Sequence, residues 1–270
     1  MGQSISRDRP RSWPGSVRVS PGLWRGVAGL AVVALAWELA ARFVVANPLF
    51  LSPLSDVVLR GRDLWTAGEL QTNIWVSFQE FAWGFGLAAA VGVLLGICLA
   101  EWRALREFTD PVISLLYATP LIALGPLFIL WMGIGIGSKV AIIFLTAVFP
   151  IVINTVIGLT TVDRTLIDVG RSLGGSPAQI YRKVRLPASL PFIIAGLRLS
   201  VARALVGVVV AELFGARAGL GFMIVNYAQS FDTPAVFLGV IILAVAGVTS
   251  VELLKLLEAR LAPWRFEREA

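Results

Sequence analysis

Residues 140–160 read VAIIFLTAVFPIVINTVIGLT, a stretch of 21 residues that contains no charged side chain. As an α-helix it would extend about 30 Å, which matches the hydrocarbon core of a bilayer. Five further apolar stretches lie at about 24–46, 74–100, 112–132, 191–214 and 235–257. The chain is 57% hydrophobic and 15% charged, with a mean hydropathy of +0.81. We therefore expect an all-α, polytopic membrane protein with six transmembrane helices.

The basic residues are distributed unevenly over the connections between these stretches. Sixteen of the 23 Lys and Arg residues lie in the N-terminal segment, the second and fourth connections and the C-terminal segment. Only four lie in the other three connections, and three fall within the spans. Because cytoplasmic loops carry the excess of Lys and Arg, both termini and the connection 161–190 are predicted to be cytoplasmic. The predicted organisation is a cytoplasmic tail (1–23), a membrane domain (24–258) and a second cytoplasmic tail (259–270).

The composition also excludes several classes of function. The chain has no histidine and a single cysteine, Cys98, inside an apolar stretch, which excludes a disulfide framework, a zinc site and a histidine proton relay. The net charge of +6 reflects topology and lipid contact, because basic patches with interleaved aromatic residues, typical of nucleic-acid binding, are absent. No Gly-rich phosphate loop followed by Lys-Ser or Lys-Thr is present, so ATP binding of the P-loop type is excluded.

Small residues and prolines mark the spans and their connections. Ala88, Gly92 and Gly96 recur at every fourth position and predict close packing of helices within the chain. The prolines expected to interrupt the third and fourth spans are Pro120, Pro126 and Pro150. The first connection (47–73) is predicted to hold a short polar helix, and residues 219–221 a turn near the outer surface. Since no internal repeat is evident, the symmetry of a transport pathway would come from a homodimer or a partner.

The predicted cytoplasmic connection reads TVDRTLIDVGRSLGGSPAQIYRKVRLPASLP over residues 161–191, a pattern that indicates two short helices. In the first helix, Thr165 is the expected N-cap and Asp168 the acid of the first turn. Gly174 and Gly175 are expected to end that helix.

The second predicted helix begins at Ser176, whose side chain would form a capping box with Gln179. Leu186 and Pro187 are expected to close it and to redirect the chain into the fifth span. Both helices are amphipathic, with basic residues left for solvent or lipid phosphates. Their apolar residues are Leu166, Val169 and Leu173 in the first helix and Ile180 and Val184 in the second. From these residues alone, docking of a protein and attachment to lipid headgroups are equally favoured.

Several charged residues fall inside the predicted spans, where an unpaired charge costs about 2.5–3.5 kcal/mol on insertion scales. Glu38 and Arg42 lie one helical turn apart and are predicted to pair. Arg198 and Arg203 lie in the fifth span, and the deeper Arg203 is a candidate pathway or gate residue. Glu212 is the second candidate, because it has no partner at helical spacing, although a structural role is favoured for it.

The connection resembles the EAA loop of the permeases of ABC importers, in which an acid and two small residues precede a glycine and, further on, a Leu-Pro pair. The residues at those places are Asp168, Val169, Gly170, Gly174, Leu186 and Pro187. Asp replaces the usual Glu, and Val169 replaces the first Ala. The likeness continues through WELAAR (37–42), YATPLIALGPLFILWMGIG (117–135), GLRLSVARALVGVVVAELFGARAGLGFMI (196–224) and the final LAPWR.

The resemblance implies a type I importer permease of a bacterial inner membrane, from the subgroup that imports nitrate, taurine, alkanesulfonates and related small solutes. It implies a homodimer, cytoplasmic ATPase subunits that bind the ATP, and a periplasmic or lipid-anchored solute-binding protein. The chain itself would then be no enzyme and hold no cofactor. The coupling-loop residues so implied are Asp168, Val169, Gly170, Leu173, Gly174, Ile180, Tyr181, Leu186 and Pro187. Near Glu80, many relatives are expected to carry a basic residue.

Two other functions compete with this one. An ion-coupled secondary transporter or channel would need titratable groups inside the membrane and commonly an internal repeat, and only Glu212 supports it. A membrane-embedded enzyme would need paired acids, a nucleophile with a base, or a metal cluster, and the predicted spans contain none of these.

Overall fold

The computed structural model describes residues 21–45 and 47–262, with side chains from Trp24 onward. Within these residues the backbone is helical and forms no β-strand. The helices are α1 (Pro21–Leu39), α2 (Leu54–Thr66), α3 (Glu69–Glu101), α4 (Arg103–Ala118), α5 (Gly125–Met132), α6 (Ile136–Thr160), α7 (Arg164–Ser172), α8 (Pro177–Ile180), α9 (Leu186–Leu213), α10 (Leu220–Gln229) and α11 (Thr233–Leu261). Wider π-helical turns extend α1 over Ala40–Val45 and join α8 to α9 over Tyr181–Arg185.

Five helical segments of the described chain are long and apolar enough to cross a membrane, and a bent pair makes a sixth. The five are Trp24–Val45, Glu69–Glu101, Ile136–Thr160, Pro177–Leu213 and Thr233–Leu261. The bent pair, α4 and Leu121–Met132, meets at 77° in place of the predicted third span. The six-span, all-α fold is therefore confirmed, with one span broken. The predicted tails 1–23 and 259–270 fall largely outside the described residues.

The break in the third span lies at Pro120, as predicted. Thr119 is extended, with a ψ of 136°, because the ring of the following proline disfavours the helical region. The predicted interruptions at Pro126 and Pro150 are wrong. Pro126 lies in the first turn of α5, where its missing N–H is not needed. Pro150 lies inside α6, which continues unbroken because it is packed against neighbouring helices on two sides.

Helix α6 forms the centre of the bundle and packs along α3 on one side and α9 on the other. The small residues of α3 face it. An added Cβ at Gly92 would lie 2.9 Å from the Cβ of Ile151, and one at Gly96 would lie 2.5 Å from the Cβ of Thr155. Ala88, between them and the start of the helix, is fully buried. Since no larger side chain fits, the stripe serves packing within the chain, as predicted.

Helix α1 lies at the edge of the bundle, and most of its side chains are exposed. The indole N–H of Trp37 donates to the backbone oxygen of Ser52 at 3.0 Å, and its ring meets that of Phe237 edge-on at 5.1 Å. Glu38 and Arg42 form the predicted ion pair at 2.6 Å. This pairing reduces the cost of holding two charges in one span.

The end of the bundle where α3 begins is closed by α2, α10 and the start of α11. Its buried cluster consists of Leu64, Leu70, Leu220, Met223 and Ala235. Arg60 pairs with Asp232 at 2.7 Å, and the hydroxyl of Tyr227 donates to Glu69 at 2.9 Å. Burial and this bond to a carboxylate raise the pKa of the Tyr227 phenol above its usual value. Helix α2 is the short helix predicted in the first connection.

Candidate functional site

The connection 161–190 lies at the other end of the bundle, and we name its helices α7 and α8 the α7–α8 unit. Asp163 caps α7, since its Oδ1 accepts from the backbone N–H of Thr165 at 2.8 Å. The prediction of Thr165 as the cap is wrong by two residues, because the aspartate reaches the free N–H groups directly. Asp168 therefore lies beyond the first turn, where it pairs with Arg171 at 3.3 Å on the exposed surface.

A glycine turn and a second cap join the two helices, as predicted. Gly174 has a φ of +74°, and the N–H of Gly175 donates to the carbonyl of Gly170 at 3.0 Å. A Cβ on Gly175 would lie 2.8 Å from that oxygen, so only glycine allows the approach. Ser176 and Gln179 form the capping box. The N–H of Gln179 donates to Oγ of Ser176 at 3.3 Å, and the N–H of Ser176 donates to Oε1 of Gln179 at 2.9 Å.

The second helix does not end at Leu186 and Pro187, contrary to the prediction. The π-helical turn Tyr181–Arg185 carries it into α9, and the N–H of Leu186 donates to the carbonyl of Tyr181. Pro187 lies in the first turn of α9, where it lacks an N–H and where the wider turn accommodates its ring. Because no loop separates α8 from α9, a displacement of the α7–α8 unit acts directly on a spanning helix.

The apolar side chains of the unit face in different directions. Ile180 is only 8% exposed and lies 3.5 and 3.4 Å from where a Cβ on Gly170 or Gly175 would be. Ile180 therefore closes the turn between the two helices and does not add to the exposed apolar surface of the unit. The exposed apolar residues are Leu166 (50%), Val169 (53%) and Leu173 (82%), which we name the α7 apolar face.

Arg185 holds the unit against the ends of α3 and α6. Its guanidinium pairs with Glu101 at 2.9 Å, donates to the backbone oxygen of Leu159 at 3.4 Å and lies 5.6 Å from the ring centre of Tyr181. The sequence carried no signal for this anchor, because Arg185 and Glu101 are separated by 84 positions.

Glu212 is buried at the opposite end, with 1% of its surface exposed. The hydroxyl of Ser77 donates to its Oε1 and the N–H of Gly221 to its Oε2, each at 2.5 Å. The carboxylate thus ties α9 to α3 and α10. Its predicted role as a gate or pathway residue stays a prediction, and these bonds describe a structural contact.

The same groups hold the start of α10. The N–H of Leu220 donates to the hydroxyl of Ser77 at 2.7 Å, and the N–H of Gly219 to Oδ1 of Asn73 at 2.8 Å. Residues 219–221 were predicted to form a simple turn. They form instead the anchored start of helix α10. We name Asn73, Ser77, Glu212 and residues 219–221 the outer lock.

Glu80 also has a partner that its sequence position does not indicate. Its Oε1 lies 2.6 Å from Nζ of Lys139 at the start of α6, and both side chains are nearly buried. Within the described residues, its Oε2 has no hydrogen-bond partner. The pair fixes α3 against α6 near the outer lock.

Arg203 lies on α9 beside the break at Pro120. It donates from Nη2 to the hydroxyl of Tyr117 at 3.1 Å, and its guanidinium carbon lies 4.6 Å from the centre of that ring. The two residues flank a cavity of about 310 Å³, which we name the Arg203 groove. Its lining includes Leu116, Tyr117, Pro120, Phe149, Arg203 and Val206. Sequence reasoning found Arg203 but missed Tyr117, whose place three residues before Pro120 was the available signal.

The fold and these contacts define a polytopic α-helical membrane protein with a helical unit joined to one span without an intervening loop. No cluster of three or more metal-ligating side chains occurs within the part of the chain that the structure describes. Residues 91–263 match the family described as the binding-protein-dependent transport system inner membrane component, and the chain belongs to that family. It is thus the transmembrane permease subunit of an ABC importer and a multi-pass membrane protein.

Individual relatives agree with this assignment. The chain is 37% identical over 261 residues to the putative aliphatic sulfonates transport permease protein SsuC of Bacillus subtilis, covering 95% of each. It is 30% identical over 260 residues to the taurine transport system permease protein TauC of Escherichia coli, covering 94% and 93%. Its fold is similar to a chain of the MetNI methionine ABC transporter in an inward-facing conformation, with a TM-score of 0.61 and 17% identity over 71% of this chain and 95% of that chain. The predicted family is confirmed, and the secondary-transporter alternative has no support.

Proposed function

We propose that two copies of this chain form the membrane pathway of an importer for a small solute that carries a sulfonate or a similar oxyanion group, in a bacterial inner membrane. The relatives that carry the names of aliphatic sulfonates and taurine support this class of solute, with nitrate and related compounds in the same predicted range. A periplasmic or lipid-anchored binding protein delivers the solute. Separate ATPase subunits bind the ATP and drive transport.

The single observation that carries the ATPase partner is the α7 apolar face. Three large apolar side chains of one short helix are half or more exposed at the end that the charge distribution assigns to the cytoplasm. Burying one such side chain contributes about 1.5–3 kcal/mol, so a groove that covers all three gives a firm attachment. Leu173, the most exposed of them, stands directly before the glycine turn that sets the angle of the unit.

Attachment to lipid headgroups is the rival interpretation of the same surface. The continuous path from α8 into α9 favours docking over lipid attachment. A unit joined rigidly to a spanning helix transmits the movement of a docked motor, whereas a helix that only rests on lipid needs no such connection. The predicted coupling residues, including Asp168, Gly170, Tyr181 and Pro187, lie on this path or next to it.

The homodimer is proposed from the exposed surface of the spans. Arg203 carries a charge on an exposed face of a membrane-spanning helix, where contact with lipid is costly. A second copy, facing the same groove across a two-fold axis, encloses this face in a water-filled pathway.

The experiment compares Leu173→Ser with the parent for recovery of the ATPase on the tagged full chain. Loss of a buried leucine contact of about 2 kcal/mol predicts roughly 30-fold weaker association. Thr165→Ala is the matched control, because Thr165 is exposed on the same helix and is not apolar, and it should leave recovery unchanged. Equal recovery in all three proteins at equal membrane abundance would refute docking through this face. Purified chain free of its partner is expected to hydrolyse no ATP.

A further inference from the structure

The charged residues inside the spans differ in how their charge is balanced. Glu38, Glu80 and Arg198 each have an oppositely charged partner on a described helix. Arg203 forms no ion pair within residues 21–45 and 47–262, and its side chain is exposed. It lies ten residues before the end of α9, about 15 Å along the helix from that end. An unpaired cation at this depth is costly unless it faces water, another subunit or an anion.

The position of Tyr117 shows what kind of partner the cation can take. The tyrosine oxygen accepts a hydrogen bond from Arg203, so its own proton remains available to a second acceptor. The ring at 4.6 Å holds the guanidinium in place while leaving its other N–H groups free. Guanidinium and phenol donors therefore converge on one space, which suits an anionic group with several oxygen acceptors.

The remaining surface of the groove is apolar. Leu116, Pro120, Phe149 and Val206 contribute hydrocarbon to a cavity of about 310 Å³. This volume lies at the lower end of the range of about 300–1,000 Å³ that small-molecule pockets occupy. The break at Pro120, where Thr119 is extended, lies beside the groove.

No acid opposes an anion in the groove. Glu212 is bonded into the outer lock, and Glu80 is paired with Lys139, so neither carboxylate lines the groove. Since the cation is unopposed, its field is available to a solute.

We propose that the Arg203 groove is a binding site within the membrane for the anionic group of a short-chain organic anion, such as an alkanesulfonate. Arg203 and Tyr117 bind the charged oxygens, and the apolar wall takes the alkyl part. This inference rests on the proposed function, because it assigns a binding site for the imported solute and explains why an anionic group is preferred there.

The test places a reporter cysteine in the groove. Val206→Cys is made in a Cys98→Ala background, and the purified full chain reacts with two methanethiosulfonates, one carrying a 2-sulfonatoethyl group and one a 2-trimethylammonioethyl group. Both reagents react with the same thiolate, so the fraction of ionised thiol affects both rates equally. The ratio of the two rates therefore reports the local electrostatic potential. With Arg203 present the anionic reagent is favoured, and Arg203→Gln lowers the ratio about tenfold. Arg203→Lys keeps it within about twofold, because the charge remains.

Two further variants make the result specific. Arg217→Gln removes one positive charge outside the groove and should leave the ratio unchanged. Sodium ethanesulfonate should slow labelling of the Val206→Cys reporter protein in which Arg203 and Tyr117 are intact. Adding Tyr117→Phe should weaken this protection about tenfold, because one hydrogen bond to a charged group is lost. Tetramethylammonium chloride should give no protection.

An unchanged ratio in Arg203→Gln, or no reaction with either reagent, would overturn the proposal. If Arg203→Gln does not fold, protection of the parent by ethanesulfonate and not by tetramethylammonium decides the matter alone. These readings need no ATPase and no transport. If labelling in the groove shows no charge selectivity while ATPase recovery is normal, only this inference is refuted. If labelling is charge-selective but the ATPase is not recovered, only the proposed docking is refuted.

Discussion

The outer lock and the α7–α8 unit are both built from helix starts and glycine turns, but they differ in whether their side chains find partners inside the chain. In the outer lock, buried polar groups meet partners inside the chain, with Ser77 bonded to both Glu212 and the N–H of Leu220. In the α7–α8 unit, caps and a glycine turn fix the backbone, yet the α7 apolar face is left exposed. One end of the protein satisfies its buried polar groups internally, and the other leaves large apolar side chains exposed.

Two glycines with positive φ values make the contrast concrete. A Cβ at Gly219, where φ is +129°, would lie 2.3 Å from the carboxyl carbon of Glu212. A Cβ at Gly174, where φ is +74°, would meet no atom within 4 Å. Glycine is therefore needed at the first position for packing and backbone shape together, and at the second for backbone shape alone. Variants at these positions separate folding from docking.

Gly219→Ala should have the largest effect on stability. The methyl group meets the buried carboxylate and the backbone is strained, so a loss of about 3 kcal/mol or more is expected. Gly68→Ala is the control, because its φ is +78° and nothing lies within 4 Å of the added Cβ. The control should lose about 1–2 kcal/mol. Thermal unfolding of the purified chain measures both, and equal shifts would show that the lock does not constrain this position.

Ser77→Ala should have the next largest effect. The change leaves the N–H of Leu220 and one oxygen of Glu212 buried without a partner, at a cost of about 1–3 kcal/mol. Ser189→Ala is matched in burial, but its hydroxyl donates only to the carbonyl of Leu186 one turn earlier. Its loss should stay below about 1 kcal/mol. If Ser77→Ala and Ser189→Ala lower the unfolding temperature by the same amount, the outer lock is not a cooperative contact.

The fold was predictable from the sequence because the signals for it are local. Span length, the excess of basic residues and the proline at Pro120 act over a few turns of helix. Pro150 misled because packing on both sides of α6 maintains a helix that a local rule would break. Leu186 and Pro187 misled for a related reason, since a π-helical turn absorbs the proline.

The candidate site was only half predictable. The capping box at Ser176 and the glycine turn at Gly174 follow from residues that are neighbours in sequence. The bond between Ser77 and Glu212 joins residues 135 positions apart, and no periodicity links them. Burial of a lone carboxylate did require some partner, so the need for a contact was predictable and its identity was not.

Gly174→Val should impair docking without harming insertion. Forcing a β-branched residue into the left-handed region costs about 1–2 kcal/mol locally and changes the angle between α7 and α8. Gly68→Val is the matched control, because Gly68 is left-handed (φ 78°, ψ 0°), has open space around its Cβ and lies outside the α7–α8 unit. Both variants should show similar membrane abundance and unfolding temperatures. Only Gly174→Val should lose ATPase recovery and solute uptake, and normal uptake in it would contradict the coupling role of the turn.

Asp168→Lys should give the smallest effect, because the structure moves Asp168 out of the first turn of α7. The helix dipole acts mainly on that turn, so reversing the charge should change stability by less than about 0.5 kcal/mol. Its ion pair with Arg171 is about two-thirds exposed at both ends and contributes little.

What remains of Asp168 is a surface charge beside the α7 apolar face, and such a charge acts on association only at low salt. Asp168→Lys should therefore weaken ATPase association a few-fold at about 0.05 M salt and not at about 0.5 M, where screening is strong. Asp163→Asn controls for charge alone, because asparagine caps a helix about as well as aspartate while removing one negative charge. A salt-independent loss in Asp168→Lys, with Asp163→Asn normal, would show that Asp168 makes a direct bond to the partner. The α7–α8 unit would then bind through a specific polar contact as well as through its exposed leucines and valine.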